Sequence, residues 1–157
     1  MRAAYARGFT LIEIMVVVVL AGVVLAMISV SAFPDDRSKL RTEADRLAQL
    51  WTIAHDEAQV RGAPIVWEAN EQSYRFYVRE GQRLEPMERD VALRERRWEL
   101  TPMRVVEIAA PDGRSGPPVR VAFERAGADP VAVELDYGKA RAIVRGDGLG
   151  RFEVEMP

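Results

Sequence analysis

Residues 9–33 form a run of 25 positions with a single formal charge, on Glu13. At 1.5 Å per residue such a run makes a helix of roughly 37 Å, longer than the roughly 30 Å hydrocarbon core of a bilayer. No other stretch of the chain constrains the fold as strongly, and it reads as a transmembrane helix. Arg2 and Arg7 precede it, and no basic residue follows until Arg37. The excess of positive charge before the span places the N-terminus in the cytoplasm and the remainder on the far side. Two plainer readings stand beside this one. The run could be a secretory signal, with Val30-Ser31-Ala32 suited to cleavage after Ala32 and release of a soluble exported domain beginning at Phe33. It could also be a simple one-pass anchor. Glu13 argues against the signal, where a charge at the start of the apolar region is disfavoured; in a plain anchor it would merely snorkel, yet a carboxylate at the edge of a span costs a few kcal/mol and usually has a partner.

Beyond the run, residues 34–157 are enough for one domain. They hold 20 of the 22 Lys and Arg and 23 of the 24 Asp and Glu, a mild acid excess that argues against a nucleic-acid footprint. The chain has no cysteine, so disulfides and thiolate metal sites are excluded, while an exported address is not.

Pro34 disfavours helix at Phe33, and Asp35 and Asp36 suit the first turn of a renewed helix. Over 37–61, Leu40, Ala44, Leu47, Trp51, Ala54 and Ala58 recur at steps of four and three. They predict an amphipathic helix, with Leu50 and Ile53 widening the apolar stripe. Arg41, Glu43, Asp45, Arg46, Gln49 and Glu57 are expected on the opposite face. Gly62 ends the helix and Pro64 prevents its resumption.

From Gly62 onward the apolar period changes to two. Strands are expected at 64–69 and 73–79, the second with Tyr74, Phe76 and Val78 on one face, and across 98–109, weakened at Pro102. Val119, Val121 and Phe123 alternate with polar or small neighbours, as do Val131, Val133 and Leu135, then Ala142 and Val144, then Phe152, Val154 and Met156. Tyr137-Gly138 and Asp147-Gly148 read as hairpin turns. The expected fold class is α+β and pilin-like. A long N-terminal helix, with a membrane half (9–33) and an amphipathic half (34–62), packs on an antiparallel sheet of six to eight short strands (63–157).

Catalytic signals are few. His55 is the one histidine, and a zinc site needs clustered ligands, so it reads as a boundary residue of the helix. Gly113-Arg114-Ser115-Gly116 lacks the glycine spacing of a nucleophile elbow. Gly146-Asp147-Gly148-Leu149-Gly150 is followed by a strand rather than a helix and offers one carboxylate, so it reads as a turn rather than a phosphate cradle or calcium loop. Residues 83–97 mix five arginines with four acids and read as a solvated loop, with protein docking as the alternative. No enzyme activity, cofactor or metal is expected.

Gly8-Phe9-Thr10-Leu11-Ile12-Glu13 resembles the leader junction of the type IV pilin and pseudopilin superfamily. The resemblance implies a leader of residues 1–8, basic through Arg2 and Arg7. A prepilin peptidase would cut after Gly8 and N-methylate the new amine of Phe9. Unlike a signal peptidase, this cut leaves the apolar helix attached to the domain. In a filament of packed helices, the Glu13 carboxylate could pair with the Phe9 amine of a neighbour, removing much of the cost of a buried charge and setting register. Val121-Ala122-Phe123, Gly127, Val133-Glu134-Leu135, Ala142-Ile143-Val144 and Gly150-Arg151-Phe152-Glu153-Val154 resemble the GspH/FimT-like minor pilin domain. That resemblance implies a structural subunit of the inner membrane, single-pass, with a periplasmic domain. Its expected partners are the peptidase, other minor and major pseudopilins, the inner-membrane secretion platform and the lipid bilayer. Members of the FimT-like branch act in pilus assembly or DNA uptake, and the resemblance implies a basic C-terminal region in those that bind DNA. Here the chain ends Phe152-Glu153-Val154-Glu155-Met156-Pro157, which is acidic, so no nucleic acid is expected.

Overall fold

Asp35 starts the folded domain by capping a helix. Its backbone is extended, and its carboxylate accepts the Ser38 N–H at 2.7 Å. That bond satisfies one of the amides a helix start leaves unpaired. The computed structural model describes residues 10–31, 35–108, 118–124 and 129–157. Contacts divide the chain into two units, Met1–Pro34 and Asp35–Pro157.

In the first unit, α1 (Leu11–Ser31) is apolar on all sides, and its described side chains are exposed on every face. Among the described residues no helix is long and apolar enough to cross a membrane. Phe9, Ala32 and Phe33, the ends of the expected span, lie outside the described residues.

In the second unit, α2 (Asp36–Arg61) ends on Gly62, whose φ of 66° is the left-handed conformation glycine adopts freely and whose N–H bonds to the Ala58 carbonyl at 3.0 Å. The six residues of the predicted stripe are all fully buried. Asp35 is extended and opens a new helix, as Pro34 and the two acids imply. Two details differ from expectation. Ile53 is 43% exposed; at 100° per residue it sits about 200° from Trp51, on the outer face. Glu43, expected outside, is 2% exposed; it lies about 80° from Trp51, at the edge of the stripe, where a neighbouring segment closes over it.

Among the described residues nine strands follow, arranged as two antiparallel sheets rather than the one expected. The first sheet has the order β3-β2-β1-β6, from β1 (Ile65–Ala69), β2 (Ser73–Glu80), β3 (Arg83–Pro86) and β6 (Val119–Phe123). The two-residue β4 (Arg96–Arg97) pairs with β2 beside it. The second has the order β5-β7-β8-β9, from β5 (Arg104–Glu107), β7 (Val131–Tyr137), β8 (Ala140–Gly146) and β9 (Phe152–Glu155). Successive strands β5 and β6 thus lie in different sheets. Helix α2 packs against β7, β8 and β9 of one sheet and β1 and β6 of the other. Its stripe therefore forms one core with the inward residues of both. Trp51 stands at the centre, 5.1 Å from Trp67, 5.7 Å from Phe123 and 5.7 Å from Phe152 between ring centroids.

The segments around the predicted charged loop depart furthest. Residues 83–97 are not simply solvated, since they supply β3 and β4 and send Met87 and Leu93 into the core. The Asp90 carboxylate accepts the backbone N–H groups of Ala92 and Leu93, shaping the turn. The strand expected across 98–109 is confined to β5. Residues 98–103 are irregular and bury Trp98, Leu100 and Met103; Ala109 and Gly113-Arg114-Ser115-Gly116 lie outside the described residues.

Candidate functional site

Glu13 lies in the first turn of α1, where the Thr10 carbonyl accepts the N–H of Glu13 at 3.1 Å and of Ile14 at 3.3 Å. A carboxylate in this position faces the positive end of the helix dipole. The residues that follow on α1 are uncharged and nearly all apolar, so Glu13 is the one formal charge of the helix. It is exposed, as are its apolar neighbours. Gly8, Phe9, Arg2 and Arg7 lie outside the described residues.

The other candidates sit in the second unit. His55 is half-buried on α2, with its ring 6.4 Å from that of Phe152. Its Nε2 is 3.4 Å from Gln59 Nε2, and the Gln59 amide also donates to the Glu124 carbonyl at 3.3 Å. Gly150, with φ of 90°, lies so close that an added Cβ would stand 2.6 Å from His55 Cδ2. Histidine here packs the last hairpin against α2. Among the described residues no group of three or more His, Asp or Glu side chains is placed to hold a metal ion.

The 146–150 segment is the turn between β8 and β9. The Asp147 carboxylate accepts the N–H of Leu149 at 2.7 Å and of Arg151 at 3.1 Å. The Leu149 amide is the main influence holding the Asp147 carboxyl below its usual range, with help from Arg151. A carboxylate committed to its own loop closes a turn.

One polar cluster was not legible as such in the sequence. The buried Glu43 pairs with Arg46 at 3.4 Å, and Arg46 also bonds Glu99. Glu43 Oε1 and the Tyr74 hydroxyl are buried without a hydrogen-bond partner. Burial is the main cause that raises the Glu43 carboxyl, against the pull of Arg46, and it pushes the Tyr74 hydroxyl up to about 12. The helical wheel carries the signal that could have found Glu43, since it stands three residues after Leu40 and four before Leu47, both fully buried stripe residues.

No curated protein and no solved structure matches the chain. Residues 4–29 match the prokaryotic N-terminal methylation motif, a segment that includes Gly8, Phe9 and Glu13. This prepilin-type leader implies processing by a prepilin peptidase and assembly with pilin-type partners. Together with an α+β domain in which a helix packs on antiparallel sheets, it supports a type IV pilin-like or pseudopilin protein.

Proposed function

We propose that this chain is a minor pseudopilin of a type II secretion system, similar to the GspH kind. It is a structural subunit and not an enzyme. The precursor inserts in the inner membrane through residues 9–33, with its N-terminus cytoplasmic and its domain periplasmic. The peptidase cuts after Gly8 and methylates Phe9. The mature subunit then joins a short periplasmic pseudopilus that supports export of folded proteins, driven by an ATPase elsewhere.

The observation that carries this reading is the leader match at residues 4–29, placed at the head of an apolar helix whose one charge is Glu13. A helix apolar all round needs an apolar surrounding, and a bilayer or a bundle of like helices supplies it. In such a bundle Glu13 pairs with the Phe9 amine of a neighbour. The acid excess of residues 34–157 and the acidic final strand favour secretion over the FimT-like role in pilus assembly or DNA uptake.

The test is a secretome assay on an in-frame deletion strain, with the wild-type gene restored as control. Periplasmic accumulation of exoproteins supports the proposal. Normal secretion with loss of surface pili or DNA uptake transfers the chain to the FimT-like role. In the same strain, Glu13→Leu should insert in the membrane and fail to enter the filament; normal recruitment of that variant removes the pairing role.

A further inference from the structure

β9 is an outer strand of the second sheet and pairs with β8 alone. Its turn fixes which backbone groups that pairing leaves open. Asp147 donates its N–H to the Arg151 carbonyl at 3.2 Å, and antiparallel bonded pairs recur at every second position, here Arg145–Glu153 and Ile143–Glu155. The N–H and C=O groups of Phe152 and Val154 therefore point away from β8, and no described residue pairs with them. Further along the same edge, the Met156 carbonyl accepts a bond from the Arg37 guanidinium at 3.1 Å, so the edge is open to donors from outside the sheet. Burial of the core face falls off toward this edge. Val133 and Leu135 on β7 and Ala142 and Val144 on β8 are fully buried, whereas Phe152, Val154 and Met156 are only partly covered. The opposite face of β9 carries Glu153 and Glu155, both exposed. Glu155 pairs with Arg145 at 3.0 Å, and Glu153 has no ion pair with a described residue. β3, at the edge of the first sheet, is built differently: all four of its residues are exposed, and it ends on Pro86, which has no N–H to donate.

We propose that β9 is a docking edge for an extended strand of a different protein, apolar on the side toward α2 and carrying Lys or Arg on the other. The incoming strand bonds to the open groups of Phe152 and Val154 and continues the second sheet. Its apolar side chains cover the exposed parts of Phe152 and Val154, and its basic side chains stand beside Glu153 and Glu155. A second copy of this chain fits the edge less well. Two β9 strands paired edge to edge bring the glutamates of one against those of the other on a shared face, and like charges opposite each other destabilise a sheet. The acids thus discourage self-pairing of an exposed edge and select a basic partner. The inference stands apart from the secretion role, since it rests on β9 and not on the leader.

The test uses the full chain in a mild detergent at physiological salt, with a short synthetic peptide alternating valine and lysine as the probe. Binding is read by fluorescence anisotropy and by hydrogen exchange. The peptide should bind and raise protection of the Phe152 and Val154 amides by about tenfold, with the amide of Val66 in β1 unchanged. The same peptide with glutamate in place of lysine should not bind. A basic peptide can also adhere to an acidic surface without pairing, and N-methylation separates the two. Of two versions methylated on alternate residues, one on each edge, at least one should bind about tenfold more weakly. Val154→Pro removes a donor that faces away from β8, so it spares the β8–β9 ladder and should weaken the unmethylated peptide as much. Undiminished binding of both methylated peptides overturns the proposal, as does binding without protection of the two amides, equal binding of the glutamate peptide, or no binding. Protection of the same amides that rises with protein concentration in the absence of peptide overturns the chosen partner and assigns the edge to a second copy. If Val154→Pro does not fold, the methylated peptides still decide on the wild type.

Discussion

α1 and α2 are successive helices of similar length, 21 and 26 residues, with opposite designs. α1 is apolar in every direction and exposes Leu11, Val18 and Leu20 alike. α2 gathers its apolar residues on one stripe and buries that stripe against two sheets of its own chain. The single acid of α1 stands in its first turn, while α2 carries charges along its outer face and a capping Asp35 at its start. The contrast teaches where each helix finds its stabilisation. α2 completes its burial within its own unit, against the two sheets; the described side chains of α1 present apolar surface on every face.

The comparison can be broken most strongly at Trp51, which touches Trp67, Phe123 and Phe152. Trp51→Ala should lose about 3–5 kcal/mol of domain stability, read by urea denaturation. Val18→Ala in α1 should leave the same transition within about 0.5 kcal/mol of wild type. Equal losses would show that the helices share one core. A smaller effect is expected at Gly150, where the positive φ and the 2.6 Å approach to His55 leave no room for a methyl group. Gly150→Ala should destabilise by about 1–3 kcal/mol, with increased exchange in β9. The smallest is the cap: Asp35→Ala should cost about 1 kcal/mol, seen as fraying of the first turn of α2. No change there would mean that α2 does not depend on its own start signal.

These contrasts were partly legible beforehand. The α2 stripe, the Gly62 stop and the turns at Gly138 and Gly148 follow from local periodicity and turn chemistry, and the structure places each where its residues imply. The split into two sheets was not legible, because alternation reveals which face of a strand is apolar but not which strand it pairs with. β1 joins β6 across more than 40 residues, and no local signal encodes that pairing. Residues 83–103 misled for a related reason. Their arginines and acids dominate the composition, yet Leu93, Trp98 and Met103 are buried at steps of five, which match neither the strand period nor the helix period, and Trp98 and Met103 are tied to the β1–β2 turn. Glu43 reads as an outer residue by its charge, although it stands three residues after Leu40 and four before Leu47 on the buried stripe. At the leader, Glu13 is placed in the structure and Gly8 and Phe9 are legible from the sequence motif alone.

The most direct measurement is mass spectrometry of the N-terminal peptide of the mature chain, purified from cells that contain a prepilin peptidase. The prepilin reading predicts a chain that begins at Phe9 and carries one added methyl group on its amine. A mature chain beginning at Phe33 would show an ordinary secreted domain, and one retaining residues 1–8 would show a plain anchor; either result contradicts the assignment of this chain as a pilin-like subunit.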